Sequence, residues 1–211
     1  MEISILCTES RHPVNNYLNK WCGSVQKSHN VTIVRDKSEL NSGDLLFLIS
    51  CHEMISLEIR SNYKKTLVIH SSRLPEGRGW SPQVWQILDG KTEIFVTLLE
   101  AEDDVDSGDI WKQVCVEIEK HELVDQINEK LFSCWIELMD FAVKNFYSII
   151  PFPQHHSKAT YLPKRTPEDS LLDVNDSIAN QFDLLRISDY ERYPAHFKLH
   201  GKTYKLKIER M

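Results

Sequence analysis

The chain lacks both an apolar run long enough to cross a membrane and a run of lysine and arginine long enough to follow a phosphate backbone. Its 25 lysines and arginines are outnumbered by 31 aspartates and glutamates, which gives a formal net charge of −6. These features argue against a membrane protein and against stable binding of nucleic acid, tRNA included. Residues 1–6 also lack the basic region and the long apolar segment of a signal peptide. The sequence therefore predicts a cytoplasmic protein.

Cysteines are few and scattered, at positions 7, 22, 51, 115 and 134. Their number is odd and no Cys-x-x-Cys pair occurs, so neither a zinc site nor a disulfide framework is predicted. Most are expected to be small buried apolar residues in a reducing compartment. The adjacent His155 and His156 lie in a proline-rich stretch, where exposure to solvent is expected more often than metal binding. We therefore expect no bound metal.

What the sequence does contain is an alternation of short apolar runs with helical stretches. Strands are predicted over 2–7, 30–35, 44–50, 66–69, 93–99 and 110–118, and helices over 13–27, 80–88 and 123–146. Nearly continuous apolar strands that alternate with helices form parallel sheets covered on both faces. The pattern thus indicates an α/β fold with a Rossmann-like, mostly parallel sheet and helices on both faces. The 211 residues, 41% hydrophobic and 27% charged, suffice for one such domain and a small appendage.

The last third of the chain predicts a connector and a short terminal unit. The helix over 123–146 carries an apolar stripe at three- and four-residue steps, which is typical of a surface that faces the core. Residues 150–164 are rich in proline, and a helix over 176–187 and a hairpin over 195–208 are expected beyond them. The predicted division is a main unit over 1–150 and a connector with a small helix and hairpin over 151–211.

A histidine and an aspartate follow two of the predicted strands. His70 enters a loop that contains Pro75, Gly77 and Gly79, and Asp106 lies in an Asp-Ser-Gly turn. Ligands of such sheets bind beyond the carboxyl ends of the strands, so the loops over 8–13, 50–54, 70–80 and 101–106 are expected to share one rim. There a carboxylate can fix the tautomer of an imidazole that moves a proton. The pair indicates acyl-transfer chemistry.

Other residues between positions 70 and 109 complete a longer pattern. The pattern is a strand that ends Asn-x-His, followed by Ser-Leu-Leu-Pro, Arg-Gly and Asp-x-Gly-Asp. The residues of this chain that fall at the expected spacing are His70, Ser72, Leu74-Pro75, Arg78-Gly79, Pro82, Trp85 to Leu88, Gly90 and Asp106 to Asp109. On these residues the segment resembles the 10-formyltetrahydrofolate-dependent formyltransferases. The stretch GRGWSPQVW and the terminal YPAHFKLHGKTYKLKIE are most similar to the bacterial sugar-nucleotide N-formyltransferases.

The resemblance implies a formyltransferase catalytic domain over 1–150, with 10-formyltetrahydrofolate as the donor. It implies as acceptor the amine of a nucleotide-linked 4-amino-4,6-dideoxy sugar, in glycan or lipopolysaccharide biosynthesis. Members that formylate initiator tRNA carry a sizeable extra C-terminal domain, for which little room is expected here. Transfer to another small amine is one alternative, and a catalytically weakened folate- or nucleotide-sugar-binding module is another. The terminal hairpin is expected either to close the cleft or to form a homodimer contact.

The resemblance also implies the residues of the site. His70 is expected to contact the formyl group and move protons, while Asp106 orients the ring and stabilises the imidazolium. The pterin pocket is expected to be formed, largely by main-chain groups, at Cys51, His52, Glu53, Met54, Ala101, Asp103 and Val105. The sugar is expected near Trp80 and Ser81, and its pyrophosphate near basic groups such as Arg11, Arg73 or Arg78. For Arg78, pinning its loop to the sheet is an equally favoured alternative.

The chain departs from the family pattern at Val68, where the family has asparagine. In the family that asparagine helps to hold the formyl oxygen as it becomes an oxyanion, and loss of one such donor typically costs about a hundredfold to a thousandfold in rate. The loop over 10–16 is expected to open toward the same cleft, so Asn15 or Asn16 is the predicted replacement. The alternative is that both are ordinary residues of the first helical turn.

Overall fold

A computed structural model describes all residues from Met1 to Met211. In chain order the strands are β1 (Glu2–Leu6), β2 (Asn30–Val34), β3 (Gly43–Leu48), β4 (Tyr63–His70), β5 (Arg78–Gly79), β6 (Glu93–Glu100), β7 (Ile110–Glu117), β8 (Tyr161–Leu162), β9 (His196–Leu199) and β10 (Lys202–Lys205). The α-helices are α1 (Asn15–Val25), α2 (Leu57–Arg60), α3 (Pro82–Leu88), α4 (Val124–Asn145) and α5 (Phe182–Ile187). The predicted α/β architecture is confirmed. None of the helices has the length and apolar character that crossing a membrane requires.

A six-stranded sheet in the order β2-β1-β3-β4-β6-β7 forms the centre of the molecule. The first four strands are parallel, as predicted from their apolar composition. Strand β6 runs antiparallel to both β4 and β7, so the sheet is mostly rather than wholly parallel. Residues 71–92, which connect β4 to β6, form a loop and the short α3. This connection does not return to the edge of the sheet where the parallel strands begin, so β6 runs in the opposite direction.

The sequence predicts that residues 101–106 share a rim with the other loops because they follow the carboxyl end of a parallel strand. That reason is wrong, since β6 is antiparallel to β4. Glu100 at the end of β6 pairs with Leu67 in β4, whereas Thr97 pairs with His70. The carboxyl end of β6 therefore lies beside the middle of β4, not beyond its end. The loop over 101–109 still reaches the end of β4, because Asp106 Oδ2 lies 3.3 Å from His70 Nδ1.

The main core lies between one face of the sheet and the helices α1, α3 and α4. Thirty buried residues form a single cluster there. Helix α4 buries its predicted stripe, represented by Ile127, Leu131 and Leu138, which confirms its core-facing role. Each such side chain contributes about 1.5–3 kcal/mol when it leaves water. This face supplies the rigid platform for the loops that follow the strands.

The opposite face of the sheet is covered more thinly. Leu6, Leu46 and Leu48 pack there against Ile55 and Ile59, the latter from the four-residue α2. Residues 35–42 and 49–62 are too short to form long covering helices as well as their turns. Helices on both faces are thus present, but this face receives one turn of α-helix with short irregular segments around it.

The connector is attached to the first unit by backbone pairing. Phe152 bridges Ile110 at the start of β7, and β8 pairs with β5. Gly79 permits this close approach, because a Cβ at that position would lie 2.4 Å from the carbonyl oxygen of Leu162. The division at residue 150 remains a prediction.

The C-terminal elements differ in part from the prediction. The hairpin is confirmed, with β9 and β10 antiparallel around His200 and Gly201. The helix predicted over 176–187 begins only at Phe182. Before it, the side chains of Asp173 and Asp176 accept hydrogen bonds from nearby backbone N–H groups. Such local bonds compete with helix formation, which explains the late start.

Candidate active site

A cleft of about 250 Å³ opens beside the carboxyl ends of β3 and β4. It is lined by the following parts of the chain: His12, Leu48, residues 50–55, residues 68–71, residues 79–84, residues 100–106 other than 103, three residues of α4, and Arg165, Ile187, Asp189, Arg192 and Tyr193. We call the lining residues between 68 and 106 the motif wall, and those between 165 and 193 the C-terminal wall. The cleft therefore joins nearby strand ends with a distant segment of the chain.

His70 and Asp106 meet in the motif wall, as the spacing of the motif suggested. His70 Nδ1 lies 3.3 Å from Asp106 Oδ2, and both side chains are largely buried. His70 Nε2 lies 2.7 Å from the carbonyl oxygen of Gly77. A neutral imidazole can donate to only one of these acceptors, whereas an imidazolium donates to both. The surroundings can therefore hold the ring in place while it carries an additional proton.

The turn that presents Asp106 is fixed by its own backbone and by Gln154. Asp106 has a φ of 51°, a left-handed conformation that aspartate tolerates better than most residues. The Gln154 amide donates to the carbonyl oxygens of Asp106 at 2.9 Å and Gly108 at 2.7 Å. Asp106 Oδ2 also accepts from the Gly79 N–H at 2.9 Å. Sequence reasoning missed Gln154, which lies 48 residues from Asp106 in an irregular connector.

Arg78 supports this turn through Gln154 and does not line the cleft. It is 2% exposed, and its guanidinium donates to Gln154 Oε1 at 2.7 Å. The ring of Tyr161 packs 6.0 Å from the same guanidinium. Of the two roles considered for Arg78, the geometry supports the one that pins its loop. The substrate role is not supported, because the side chain is engaged and buried away from the cleft.

The two segments expected to hold the pterin do face the same cleft. Its lining includes Cys51, His52, Glu53, Met54, Ala101 and Val105. Asp103 is the exception, because its carboxylate accepts from Arg60 at 2.6 Å and is mostly exposed outside the cleft. Burial raises the pKa of the Cys51 thiol, which keeps it neutral.

Of the residues expected to bind the acceptor, Trp80 and Ser81 line the cleft. Trp80 is 39% exposed, so its indole is accessible to a ligand. Arg11 is exposed and lies outside the lining, and Arg73 packs 4.8 Å from the ring of Phe95. The arginines that line the cleft are instead Arg165 and Arg192 in the C-terminal wall.

Neither asparagine suggested as a replacement for the missing donor reaches the cleft. The Asn15 amide donates to the carbonyl oxygens of Glu9, Ser10 and His12 at 2.8–3.1 Å, and its oxygen accepts from Arg35 at 2.6 Å. Asn16 is exposed on α1. The structure thus contradicts the replacement hypothesis, because Asn15 is fully engaged in fixing its own loop and Asn16 faces solvent. The alternative, ordinary residues at the start of a helix, describes both.

The C-terminal wall carries an ion pair and a second arginine without one. Arg192 Nε donates to Asp189 Oδ2 at 2.7 Å. Burial opposes ionisation of Asp189, but the hydrogen bonds and charge of Arg192 outweigh it and lower the pKa of that carboxyl. Arg165 is 7% exposed and donates to Ser170 Oγ at 2.8 Å, its Nε has no partner, and no carboxylate lies within ion-pair distance. Burial lowers the pKa of this guanidinium, against the opposing charges of Asp169 and Tyr193.

The sequence profile of the Formyl transferase family matches residues 8–137, which run from the loop after β1 into α4 and include both His70 and Asp106. The chain belongs to the formyl transferase family. The match spans more than half of the chain and the whole motif wall. It therefore establishes the family in which the cleft has to be interpreted.

Relatives within and around this family differ in the acceptors that their names indicate. A methionyl-tRNA formyltransferase of Caldicellulosiruptor saccharolyticus is 32% identical over 142 residues, 65% of this chain and 44% of that protein. HypX of Aquifex aeolicus, solved with tetrahydrofolic acid, is 25% identical with a TM-score of 0.79, covering 98% of this chain and 37% of that one. A sugar N-formyltransferase from Shewanella shares the fold at 16% identity and a TM-score of 0.75, covering 100% and 98%. The chain spans about half the length of the curated relatives it matches.

Proposed function

We propose that the protein moves a formyl group from 10-formyltetrahydrofolate to the amine of a nucleotide-linked 4-amino-4,6-dideoxy sugar. The observation that carries the proposal is the contact between His70 and Asp106 in the motif wall. A purely binding protein has no use for a buried imidazole paired with a carboxylate at the edge of its cleft. That the protein acts in the cytoplasm and in glycan biosynthesis remains a prediction.

The cleft suits a planar donor such as the pterin of 10-formyltetrahydrofolate. Leu48, Ile55 and Val68 provide apolar surface, and the loops over 50–54 and 101–106 bring backbone and carboxylate groups to the rim. An apolar slot with a few polar groups is the usual character of a small-molecule site. HypX, which carries tetrahydrofolic acid in its structure, supports this choice of donor.

The C-terminal wall favours an acceptor that bears negative charge. Arg165 is a buried cation without an ion-pair partner, and Arg192 lines the same wall. A buried cation that no carboxylate contacts is costly, so an anionic ligand group would offset part of that cost. The diphosphate of a sugar nucleotide supplies such a group. The chain's net charge of −6 favours this small acceptor over a tRNA, although the curated relatives are methionyl-tRNA formyltransferases.

Formyl transfer forms a bond between the acceptor nitrogen and the formyl carbon and breaks the bond between that carbon and the folate nitrogen. The acceptor amine loses a proton, and the departing folate nitrogen gains one. In this proposal His70 relays that proton, and Asp106 stabilises the ring while it is charged. Trp80 and Ser81 would position the sugar next to this pair.

The decisive experiment incubates the protein with 10-formyltetrahydrofolate and a panel of acceptors, with mass detection of a gain of one formyl group. The panel contains nucleotide-linked amino-dideoxy sugars, the matching free amino sugars, amino acids and methionyl-tRNA. Formylation confined to the nucleotide-linked sugars supports the proposal. Formylation of methionyl-tRNA or of a free amine instead would contradict the acceptor while keeping the reaction.

A control separates catalysis from binding. In parallel, the binding of tetrahydrofolate is measured for the wild type and for His70→Ala. A transferase keeps most of its affinity in the variant while turnover collapses. A protein that binds tetrahydrofolate but formylates nothing in the panel, with or without the substitution, would instead be a binding module.

A further inference from the structure

Val68 leaves the motif wall without an amide group next to His70 in the sequence. Val68 lines the cleft, and its apolar side chain offers no donor at the position where the family pattern has asparagine. During formyl transfer the formyl oxygen gains negative charge, and one well-placed donor to such an oxygen is worth about a hundredfold to a thousandfold in rate. Another donor in the cleft would have to do this work.

His12 is a donor of this kind, and its tautomer is fixed by the backbone. It lines the cleft from the loop after β1. The Val14 N–H donates to His12 Nδ1 at 3.2 Å, so Nδ1 must carry a lone pair and the ring proton must be on Nε2. Nε2 makes no hydrogen bond within the protein, although it is not sealed from solvent. An N–H donor is thus available to a ligand.

Aromatic packing holds this imidazole against α4 in the cleft that His70 also lines. The His12 ring stacks on Trp135 with ring centroids 6.3 Å apart and an interplanar angle of 21°, and it also contacts Phe132. Trp135 in turn donates from Nε1 to Ser71 Oγ at 3.3 Å. Ser71 directly follows His70, so these contacts bring His12 to the end of β4, on the face of the sheet that α4 covers.

The surroundings keep His12 neutral. Burial is the largest cause, the positive charge of Arg192 adds to it, and together they lower the pKa of His12 to about 3. Asp189 acts in the opposite direction and His52 in the same direction as Arg192, each by a smaller amount. A neutral imidazole cannot donate a proton to the leaving group at ordinary pH, but it can donate a hydrogen bond.

We propose that His12 Nε2–H binds the formyl oxygen as negative charge develops on it, replacing the donor that Val68 does not provide. This inference rests on the proposed formyl transfer and assigns His12 as a catalytic residue of that reaction. His70 and Asp106 keep their part in moving the proton. The cleft then has separate groups for the oxyanion and for the proton.

The test compares His12→Phe, Val68→Asn and the double variant with the wild type. Phenylalanine keeps an aromatic ring against Trp135 but removes the N–H donor. We expect kcat to fall about a hundredfold to a thousandfold in His12→Phe, while tetrahydrofolate affinity changes less than about threefold. Val68→Asn in the same chain is expected to restore at least about tenfold of the loss. His121→Ala, an exposed histidine ahead of α4, serves as the matched control with unchanged kcat.

The pH profile tests whether His12 acts as a neutral donor, and the pair of variants below separates the donor from packing. Because His12 is neutral throughout the working range, His12→Phe should lower kcat by the same factor at every pH and move none of the breaks in the profile. If His12→Phe fails to fold, His12→Gln and His12→Leu are compared instead. Glutamine has an N–H donor and leucine has none. The glutamine variant is then expected to be at least about tenfold faster.

Two results would overturn the role of His12. One is a folded His12→Phe that keeps kcat within about threefold of the wild type. The other is a double variant no faster than His12→Phe. A wild type that neither formylates an acceptor nor releases tetrahydrofolate from 10-formyltetrahydrofolate would overturn the proposed function as well, so the two failures are distinguishable.

Discussion

The two walls of the cleft are built in different ways. The motif wall takes His70 and Asp106 from one short stretch of sequence, and a single motif specifies both. The C-terminal wall takes Arg165 and Arg192 from irregular segments far along the chain, and they meet His12 from the loop after β1 only in the folded protein. The comparison teaches that the chemistry of this site is encoded locally, whereas the group that would recognise the acceptor is assembled by packing.

The comparison is tested most severely at His70. We expect His70→Ala to lower kcat by about a hundredfold to ten-thousandfold, because no other imidazole contacts Asp106. Steady-state kinetics with the acceptor identified in the panel measures the effect. Tetrahydrofolate affinity should stay close to that of the wild type. A comparable fall in His121→Ala would show that the loss is not specific to the motif wall.

The second prediction breaks the connection between the two walls. Gly79→Ala would place a Cβ 2.4 Å from the carbonyl oxygen of Leu162 at a φ of 104°, where β5 pairs with β8. We expect the free energy of unfolding to fall by about 2–4 kcal/mol, measured by urea denaturation.

Gly23 in α1 is the matched control, because nothing lies within 4 Å of a Cβ there. Gly23→Ala should raise the free energy of unfolding by up to about 1 kcal/mol, since alanine favours helix. Equal effects at both glycines would show that the pairing of β5 and β8 does not hold the connector in place.

The third prediction concerns the C-terminal wall alone and tests whether that wall binds the acceptor. Arg165→Gln removes a buried cation that has no ion-pair partner in the structure. We expect KM for the nucleotide-linked acceptor to rise about tenfold to hundredfold, since a charge-assisted hydrogen bond is worth about 1.5–3 kcal/mol. KM for 10-formyltetrahydrofolate should not change. Arg210→Gln, an exposed arginine near the end of the chain, is the control. A rise in the KM of the donor instead would assign this wall to folate.

The smallest expected effect concerns stability against pH. The pKa of His12 is lowered from 6.5 to about 3 by burial, with Arg192 contributing and Asp189 opposing. Between these values the unfolded chain binds a proton that the folded chain does not, so stability falls as pH falls through this window. The slope due to His12 is at most about 1.4 kcal/mol per pH unit. Urea denaturation at about pH 7 and about pH 5 should therefore show a smaller loss for His12→Phe than for the wild type. Equal losses would contradict the burial of a neutral ring.

Most of the fold could be predicted because its signals are local. Apolar runs such as the one before His70 predict strands wherever they occur, and the stripe on α4 predicts the buried face of a helix. The orientation of β6 could not be predicted, because a strand's apolar pattern is the same in either direction. The late start of α5 was missed because side chains of Asp173 and Asp176 bind the backbone in competition with the helix.

The site divides along the same line. The contact between His70 and Asp106 follows from the motif, and the position of residues 50–54 follows from the end of β3. Residues 101–106 reach the same cleft although β6 is antiparallel, which the strand ends did not indicate. Asn15 was misassigned because side-chain type alone does not reveal that nearby carbonyl groups already engage its amide. Gln154 carried no signal, since a glutamine in an irregular connector matches no periodic pattern.

By itself the sequence determined the α/β class, the family and the pairing of His70 with Asp106, because each depends on residue types at short spacings. Only the tertiary structure decided which arginines line the cleft, that Arg78 supports the turn of Asp106 through Gln154, and that His12 presents a neutral N–H. Those outcomes depend on burial and on contacts between distant segments. Burial and contact are set by how the whole chain packs, which no local pattern records.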